Sequence, residues 1–246
     1  MRKSLWLLLP PTAWLLLFLV VPTAMLTTAA FSAEGRAYVA DPDTLRLLWR
    51  SVRIAAAATA LCLVAGYPVA YFIAGCGPRW RNLLLFLVVL PFWTNLLVRT
   101  YALIFCLRPA GFLYNEGAVV LGLFHSYLPF MVLPLYGSIE KLPKRLLEAS
   151  QDLGASPART FLRVTLPLTM PGIAAGAILV FIPVLGAFAI PELMGGESVR
   201  MIGSVIDIHF GQQNRAAGSA LTLVLMLFTT ALTWLYYRFR RTEGLV

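Results

Sequence analysis

A few charged side chains interrupt a sequence that is otherwise strongly apolar, and three of them could act on a small ionic solute. Glu192 stands in the stretch IPELMGG and Asp207 in the stretch SVIDIHFGQQN, while Arg99 follows the stretch PFWTNLLV. A carboxylate attracts an ammonium group, and a guanidinium attracts a carboxylate. Charged groups within apolar segments commonly mark the pathway of a solute or an ion. We therefore take Glu192, Asp207 and Arg99 as candidate pathway residues.

Aromatic rings near Arg99 offer a second way to bind a cation. Trp93 and Tyr101 flank it in the sequence, and Phe92 and Tyr127 are further candidates. The face of an aromatic ring attracts a cation that lies within about 6 Å of its centroid. Trp93 and Tyr101 therefore join the candidate pathway residues.

Each of these candidates also has a purely structural interpretation. Arg99 could pair with an acid or extend its charge to the membrane surface, and Glu192 could cap an external turn. Asp207 and the neighbouring His209 lie in what we expect to be an external surface segment. Aromatic rings are common at both surfaces of a membrane. The sequence leaves both interpretations open for these residues.

The elements that position these residues are predicted to be membrane helices. Of the 246 residues, 59% are hydrophobic and 13% are charged, whereas about a quarter of the residues of soluble domains are charged. A bilayer is crossed by about 20 apolar residues, and six runs reach that length. They are residues 4–33, 54–78, 82–107, 117–139, 164–191 and 216–237. The sequence thus predicts an all-α integral membrane protein with six transmembrane helices.

Charge asymmetry predicts the orientation of these spans. An even number of spans places both termini on one side, and that side carries 12 of the 20 Lys and Arg residues but only 4 of the 11 Asp and Glu residues. Basic residues accumulate in cytoplasmic segments. We therefore expect both termini in the cytoplasm. The net charge of +9 then reflects this bias, and we expect no binding to nucleic acid.

Common catalytic and metal-binding patterns are missing from the sequence. It contains no GxxxxGK[ST] phosphate-binding loop, so we do not expect this chain to hydrolyse ATP. The three cysteines, Cys62, Cys76 and Cys106, have no metal-binding spacing. We therefore expect neither a catalytic residue nor a metal site in this chain.

The longest strongly polar stretch, residues 148–167, is predicted to contribute to two helices around a tight turn. Apolar residues recur at helical spacing along the first of them, which predicts an amphipathic helix. Gly154 is expected to end it, because glycine readily adopts the left-handed conformation found at helix C-termini. Ser156 and Pro157 suit the cap and the first position of a second, short helix. Taken alone, this pattern also fits two helices that lie on the lipid surface.

The spacing within this stretch resembles a known motif. It reads E-A-S at 148–150, then three residues, G at 154, nine residues, and V-T-L-P at 164–167. This resembles the EAA loop of binding-protein-dependent ABC importer permeases, with two conservative departures at positions 150 and 164. The resemblance implies the type I ABC importer transmembrane fold, with a cytoplasmic coupling helix between helices 4 and 5. It implies coupling to an ATPase through Glu148, Ala149, Ser150, Gly154, Leu166 and Pro167.

The same resemblance implies a set of partners. A cytoplasmic ABC ATPase dimer would supply the energy, with ATP and Mg²⁺ bound to the ATPase and no cofactor bound to this chain. A second related permease subunit and an extracytoplasmic substrate-binding protein would complete the assembly, in contact with membrane lipid. The chain would be a multi-pass protein of the bacterial cytoplasmic (inner) membrane.

Three further stretches, residues 91–103, 128–142 and 190–196, resemble permeases of the spermidine/putrescine importer group. The resemblance covers roughly residues 48–237 and implies the import of polyamines or a related small amine solute. It divides the chain into an N-terminal transmembrane anchor helix and external loop (1–47), an ABC permease core (48–238) and a cytoplasmic tail (239–246). The connector RPAGFLYNE between spans three and four is shorter than in that group, which leaves the exact substrate open.

Two other classes of membrane protein compete with this interpretation. An ion-coupled secondary transporter of a small solute is expected to show inverted repeats and acidic residues near the middle of the membrane, and the predicted spans contain no Asp or Glu. A membrane enzyme would need convergent reactive groups, and His125 and His209 lie far apart in the sequence. The sequence therefore favours an importer permease.

Overall fold

The computed structural model of the chain describes the backbone of residues 2–243 and the side chains of residues 10–39, 41–143 and 145–238. This part of the chain consists of α-helices joined by short turns. In chain order the helices are α1 (Arg2–Ala30), α2 (Ala33–Ala40), α3 (Pro42–Gly75), α4 (Pro78–Val89), α5 (Leu96–Leu107), α6 (Glu116–Glu140), α7 (Lys144–Asp152), α8 (Pro157–Thr160), α9 (Leu166–Leu185), α10 (Ile202–Gly211) and α11 (Arg215–Glu243).

Five helical segments of the described chain are each long and apolar enough to cross a membrane, where a helix satisfies its own backbone hydrogen bonds. Five such spans stand alone, and α4 and α5 form a bent pair that supplies a sixth when it is counted as one. The five are Pro10–Ala30, Pro42–Gly75, Glu116–Glu140, Pro157–Leu185 and Arg215–Arg238. The prediction of an all-α membrane fold is confirmed, with six spans when the bent pair is one of them.

The third predicted span, residues 82–107, is not the single helix that we expected. α4 passes into a 3₁₀ turn containing Pro91, the chain breaks at Thr94 and Asn95, and α5 leaves at an angle of 97°. Proline has no N–H to continue an α-helical ladder, and the two break residues are extended, with ψ of 146° and 138°. The Asn95 side chain then caps α5 by accepting the N–H of Leu97 at 2.8 Å. Apolar residues lie on both sides of these two polar residues, and they concealed the break in the sequence.

The chain forms two compact units, each of which has its own packing. One combines Met1–Trp49 with Ile202–Val246, and the other comprises Arg50–Met201. In the first unit, α11 packs against α1, α2 and α10, and the rings of Tyr38 and His209 meet edge-on with centroids 5.6 Å apart. In the second unit, α6 packs against α9.

Small residues let α6 and α9 approach closely, as is typical of membrane helices. A Cβ added at Gly176 of α9 would lie only 2.7 Å from the sulfur of Met131 on α6. Met131, Val132 and Leu135 of α6 and Val180 of α9 are fully buried. These two helices therefore form the packed centre of the second unit and fix the segments at their ends.

Two segments predicted as a loop and a tail contain helix. α2 and the first residues of α3 occupy the expected external loop before residue 48, and the Ser32 hydroxyl caps α2 by accepting the N–H of Gly35 at 3.1 Å. α11 continues to Glu243, inside the expected tail at 239–246. Residues 244–246 of that tail lie outside the described part of the chain.

Candidate functional site

The polar stretch forms a hairpin, which we call the polar hairpin and define as residues 144–165. α7 is its first arm, and α8 followed by a π turn at Phe161–Thr165 is its second. Gly154 ends α7 as predicted, with a φ of +80°. The N–H of Gly154 and that of the next residue donate to the carbonyls of Gln151 and Ser150, at 2.8 and 3.1 Å. This pair of bonds satisfies the last carbonyls of α7 and requires a left-handed residue at the turn.

The second arm starts as predicted but does not end as a short helix. Ser156 caps it by accepting the N–H of the residue three positions later at 3.4 Å, and Pro157 is its first residue. The arm then continues through the π turn into α9, so that Pro157–Leu185 is one span. Leu166 is half-buried and Pro167 is exposed at this junction. The helix continues there because membrane helices tolerate the loss of one amide donor at a proline.

The residues of the EAA-like motif face different surroundings. Glu148 and Ala149 are exposed on α7, where a partner could contact them. Ser150 is tied into the hairpin instead, because its hydroxyl lies 3.0 Å from that of Thr160, a residue only 5% exposed. Leu153, at the end of α7, is 89% exposed. The polar hairpin thus combines a fixed interior with an outer surface that is partly charged and partly apolar.

The polar hairpin is joined to α3 by a cluster that the sequence analysis missed. The ring of Phe161 meets the rings of Tyr67 and Tyr71 edge-on, with centroids 5.4 and 6.4 Å apart. The Tyr67 hydroxyl lies 2.8 Å from that of Thr169, in buried surroundings. Tyr67 and Thr169 are 102 positions apart, and neither residue type stands out within an apolar span. No sequence signal marked this contact.

Arg99 lies in the first turn of α5 and is half-buried. Its Nε and Nη1 atoms are buried and have no hydrogen-bond partner within the described part of the chain. These atoms therefore form no pair with an acidic residue of the described chain. Because they are buried, they also oppose full extension of the charge to the membrane surface. A buried polar group without a partner is unfavourable, which keeps Arg99 as a candidate pathway residue.

The four aromatic side chains named as candidates, Phe92, Trp93, Tyr101 and Tyr127, differ in their exposure. Trp93 and Tyr101 lie on either side of the break between α4 and α5, and they are 76% and 56% exposed. Phe92 and Tyr127 instead pack against Phe130, with centroids 4.7 and 5.9 Å apart. Of the four rings, Trp93 and Tyr101 thus offer the larger free surface for a cation or for the membrane interface, whereas the other two contribute to packing.

Glu192 lies in a π turn at Pro191–Gly195, beyond the end of α9. The predicted span, which reached residue 191, therefore ends earlier in the structure than we expected. The Glu192 side chain is exposed, and it takes part in none of the ion pairs formed by the described residues. α5 packs against this turn, which brings the segment of Glu192 beside the helix that carries Arg99 and Tyr101. Asp207 is exposed on α10, which belongs to the other unit.

A charged cluster that the sequence analysis missed ties α3 to α6. Arg53 Nη2 donates to both carboxylate oxygens of Glu116 at 2.7 Å, and Arg50 Nε donates to the same carboxylate at 3.1 Å. Arg50 also donates to the carbonyl of Ser198 at 2.6 Å, in the 3₁₀ turn that follows the segment of Glu192. Arg50 and Glu116 are 66 positions apart, so their pairing follows only from the packing of the helices.

Known proteins resemble this chain in amino-acid sequence over most of its length. Residues 66–243 match the family described as "Binding-protein-dependent transport system inner membrane component". The chain is 39% identical to the spermidine/putrescine transport system permease protein PotB of Haemophilus influenzae, an alignment that covers 92% of this chain and 90% of the relative. It is also 39% identical to the PotB protein of Escherichia coli K12, over 93% of this chain and 94% of that relative.

A solved structure shares the fold. It is a bacterial ABC transporter involved in the import of the acidic polysaccharide alginate, with a TM-score of 0.69 and 16% sequence identity over 96% of both chains. At this level of identity the similarity concerns the fold alone. It agrees with the helical arrangement expected from the motif at 148–167.

Proposed function

We propose, from the premise that this chain belongs to the family of binding-protein-dependent transport system inner membrane components, that it imports spermidine, putrescine or a related small amine solute. The chain is a multi-pass permease of the inner membrane in an ABC importer. The observation that carries the choice of solute is the 39% identity to a spermidine/putrescine permease over 92% of the chain. An ion-coupled secondary transporter is disfavoured, since neither the family nor the fold belongs to that class.

The polar hairpin is the surface through which the permease responds to a cytoplasmic ABC ATPase dimer. Glu148 and Ala149 are exposed on α7, and Leu153 adds an exposed apolar side chain. Apolar contact with polar groups around it is the usual composition of a protein interface. The turn at Gly154 and the hydroxyl pair at Ser150 give the hairpin a fixed shape. ATP and Mg²⁺ bind to the ATPase, and this chain supplies the mechanical connection.

Two further partners complete the importer. A second related permease subunit forms the other half of the pathway, and an extracytoplasmic binding protein delivers the solute. Both termini lie in the cytoplasm, as the charge asymmetry of the sequence supports. Closure of the ATPase dimer moves the polar hairpins and opens the pathway toward the outside, and hydrolysis returns it to the inward-open state.

One exposed carboxylate and two exposed aromatic rings support a cationic solute. Glu192 offers an exposed carboxylate, and Trp93 and Tyr101 offer exposed rings that attract cations. Arg99 has the same sign of charge as an amine and would repel it, so the attraction to the solute has to come from Glu192 and the two rings. Asp207 is a further candidate on α10.

Uptake by intact cells tests the proposed function. The chain is produced with its ATPase, its second permease and its binding protein in cells that lack polyamine importers, and uptake of radiolabelled putrescine and spermidine is measured. We expect uptake that needs all four proteins and stops when cellular ATP is depleted. A cognate binding protein that binds only a sugar or an amino acid in calorimetry would contradict the proposed solute.

A further inference from the structure

Tyr67 of α3 contacts the second arm of the polar hairpin and the start of α9. Only 8% of its surface is exposed. Its ring meets the ring of Phe161 edge-on, with centroids 5.4 Å apart and an interplanar angle of 89°. Its hydroxyl lies 2.8 Å from that of Thr169. Phe161 is the first residue of the π turn at Phe161–Thr165, and Thr169 lies one helical turn beyond its end.

The hydrogen bonds extend this contact into the π turn. Thr169 Oγ1 lies 2.9 Å from the carbonyl oxygen of Thr165 and 3.1 Å from that of Leu166. A carbonyl can only accept, so the single hydroxyl proton of Thr169 is directed to these carbonyls and Tyr67 O–H is the donor to Thr169. Tyr67 therefore holds the π turn at both ends, by its ring at Phe161 and by its hydroxyl, through Thr169, at Thr165.

The π turn contains a polar group that this arrangement leaves unsatisfied. Thr165 Oγ1 is buried and has no hydrogen-bond partner within the described part of the chain. The carbonyl of Phe161 receives the N–H of Leu166, five residues later. In an α-helical register the Thr165 hydroxyl could bond the carbonyl four residues earlier, as Thr169 bonds that of Thr165. An α-helical arrangement of the turn would therefore satisfy this hydroxyl, and π turns within helices are frequent at functional sites.

We propose that Tyr67 is the positioning residue that transmits movement of the polar hairpin to α3 when the π turn changes between these two arrangements. The proposal rests on the proposed function, because it takes α7 as the surface that the ATPase moves. A displacement of α7 reaches Thr160 through its bond to Ser150. Phe161 follows Thr160 in the chain and passes the displacement to the ring of Tyr67.

The variant Tyr67→Phe tests this role, because it removes the hydroxyl and keeps the ring. Tyr71→Phe is the matched control: Tyr71 also meets Phe161 edge-on, but its side chain is exposed and its hydroxyl is in none of the hydrogen bonds of the described residues. The importer is reconstituted in proteoliposomes with its ATPase, second permease and binding protein. Putrescine uptake and ATP hydrolysis are measured in the same vesicles, so that their ratio reports coupling.

We expect Tyr67→Phe to lower the number of putrescine molecules imported per ATP hydrolysed by about threefold to tenfold, the range expected for the loss of one hydrogen bond. Hydrolysis stimulated by the loaded binding protein should persist, and Tyr71→Phe should match the wild type. A normal ratio in Tyr67→Phe would overturn the proposal. So would an equal fall of uptake and hydrolysis together with a lower melting temperature, because that result indicates a purely structural role.

Thr165→Val tests the two arrangements of the turn separately. It removes the unpaired hydroxyl with little change of shape, so it loses no observed hydrogen bond and the protein should fold as the wild type does. Only the α-helical arrangement would use this hydroxyl, and we therefore expect the same kind of fall in the ratio. A normal ratio in Thr165→Val would overturn the second arrangement. A wild-type importer that takes up no putrescine would instead contradict the proposed function, whatever the variants do.

Discussion

The geometry of the polar hairpin depends on having glycine at position 154. A Cβ at this position would meet nothing within 4 Å, so its surroundings do not demand glycine. Its φ of +80° does, because a left-handed backbone costs a residue with a side chain about 1–2 kcal/mol. The requirement for glycine is therefore a property of the turn itself, and it can be tested without disturbing the packing.

The variant Gly154→Val should weaken the turn and thereby the docking of the ATPase. Valine is β-branched and unfavourable at positive φ, whereas asparagine is one of the few other residues found at this position of a helix end. We expect Gly154→Val to insert into the membrane at normal levels but to lose most polyamine uptake and to co-purify with less ATPase. Gly154→Asn should retain most of both. Normal uptake in cells with Gly154→Val would show that the turn does not serve coupling.

The carboxylate of Glu192 should influence the rate of uptake of a cationic solute. An exposed charge contributes modestly, on the order of 1 kcal/mol, so Glu192→Gln should weaken polyamine uptake severalfold at low salt. The difference from the wild type should shrink as salt screens the charge. Glu197→Gln is the matched control, because Glu197 lies in the next turn, its side chain is 94% exposed and it already pairs with Arg200. Uptake unchanged by Glu192→Gln at every salt concentration would remove Glu192 from the pathway.

Among the elements, α5 depends most clearly on a local cap. It starts immediately after the break at Thr94 and Asn95, and within this short helix only Thr100 is buried. A helix with so little buried surface gains little from packing, so its first turn relies on the hydrogen bond from Leu97 N–H to the Asn95 side chain. The angle of 97° between α4 and α5 should therefore be sensitive to this one side chain.

The variant Asn95→Ala should destabilise the start of α5. Loss of such a cap costs about 1 kcal/mol, which for a chain of this size corresponds to a fall in melting temperature of about 2–4 °C. The melting temperature is measured on the purified protein in detergent. Asn82→Ala is the control, because Asn82 is exposed on α4 and caps no helix. Equal melting temperatures for the two variants would show that packing, and not the cap, determines where α5 begins.

At the scale of the whole molecule, the distribution of charge determines the topology that we expect. The proposed cytoplasmic side carries 12 of the 20 basic residues and 4 of the 11 acidic residues, and such an excess directs segments to the cytoplasm. In the expected topology the polar hairpin lies on that side, and the segment around Gly196 lies on the other. The proposed function needs this arrangement, because the ATPase and the binding protein act on opposite faces of the membrane.

Reporter fusions test this topology. A reporter fused after Val246, which lies beyond the described residues, should be active only if it requires the cytoplasm. A reporter fused after Gly196 should be active only if it requires export. Fusions truncated within the polar hairpin provide an internal control, since they should match the result for Val246. The reverse pattern at either position would show that the number of spans is wrong.

Much of this protein follows from the sequence alone, where the determining interactions are short-range. The length of the apolar runs predicts the membrane helices, because a helix in lipid needs a nearly continuous apolar surface. Gly154 and Ser156 predict the shape of the polar hairpin, because helix ends are fixed by hydrogen bonds between residues only a few positions apart. Local patterns of residues therefore determine the class of fold and the turn between the two arms of the polar hairpin, whereas the continuation of the second arm into α9 was not predicted.

Only the tertiary structure decided which helices contact one another. Tyr67 meets Phe161 and Thr169, and Arg50 meets Glu116, across long stretches of sequence, and the side-chain types on either side are common in many spans. The break at Asn95 was hidden for a related reason, since apolar residues on both sides satisfy the lipid whether the helix is straight or bent. The apolar character of a segment determines that it lies in the membrane. Its direction and its neighbours depend instead on packing among helices, which a local sequence pattern does not encode.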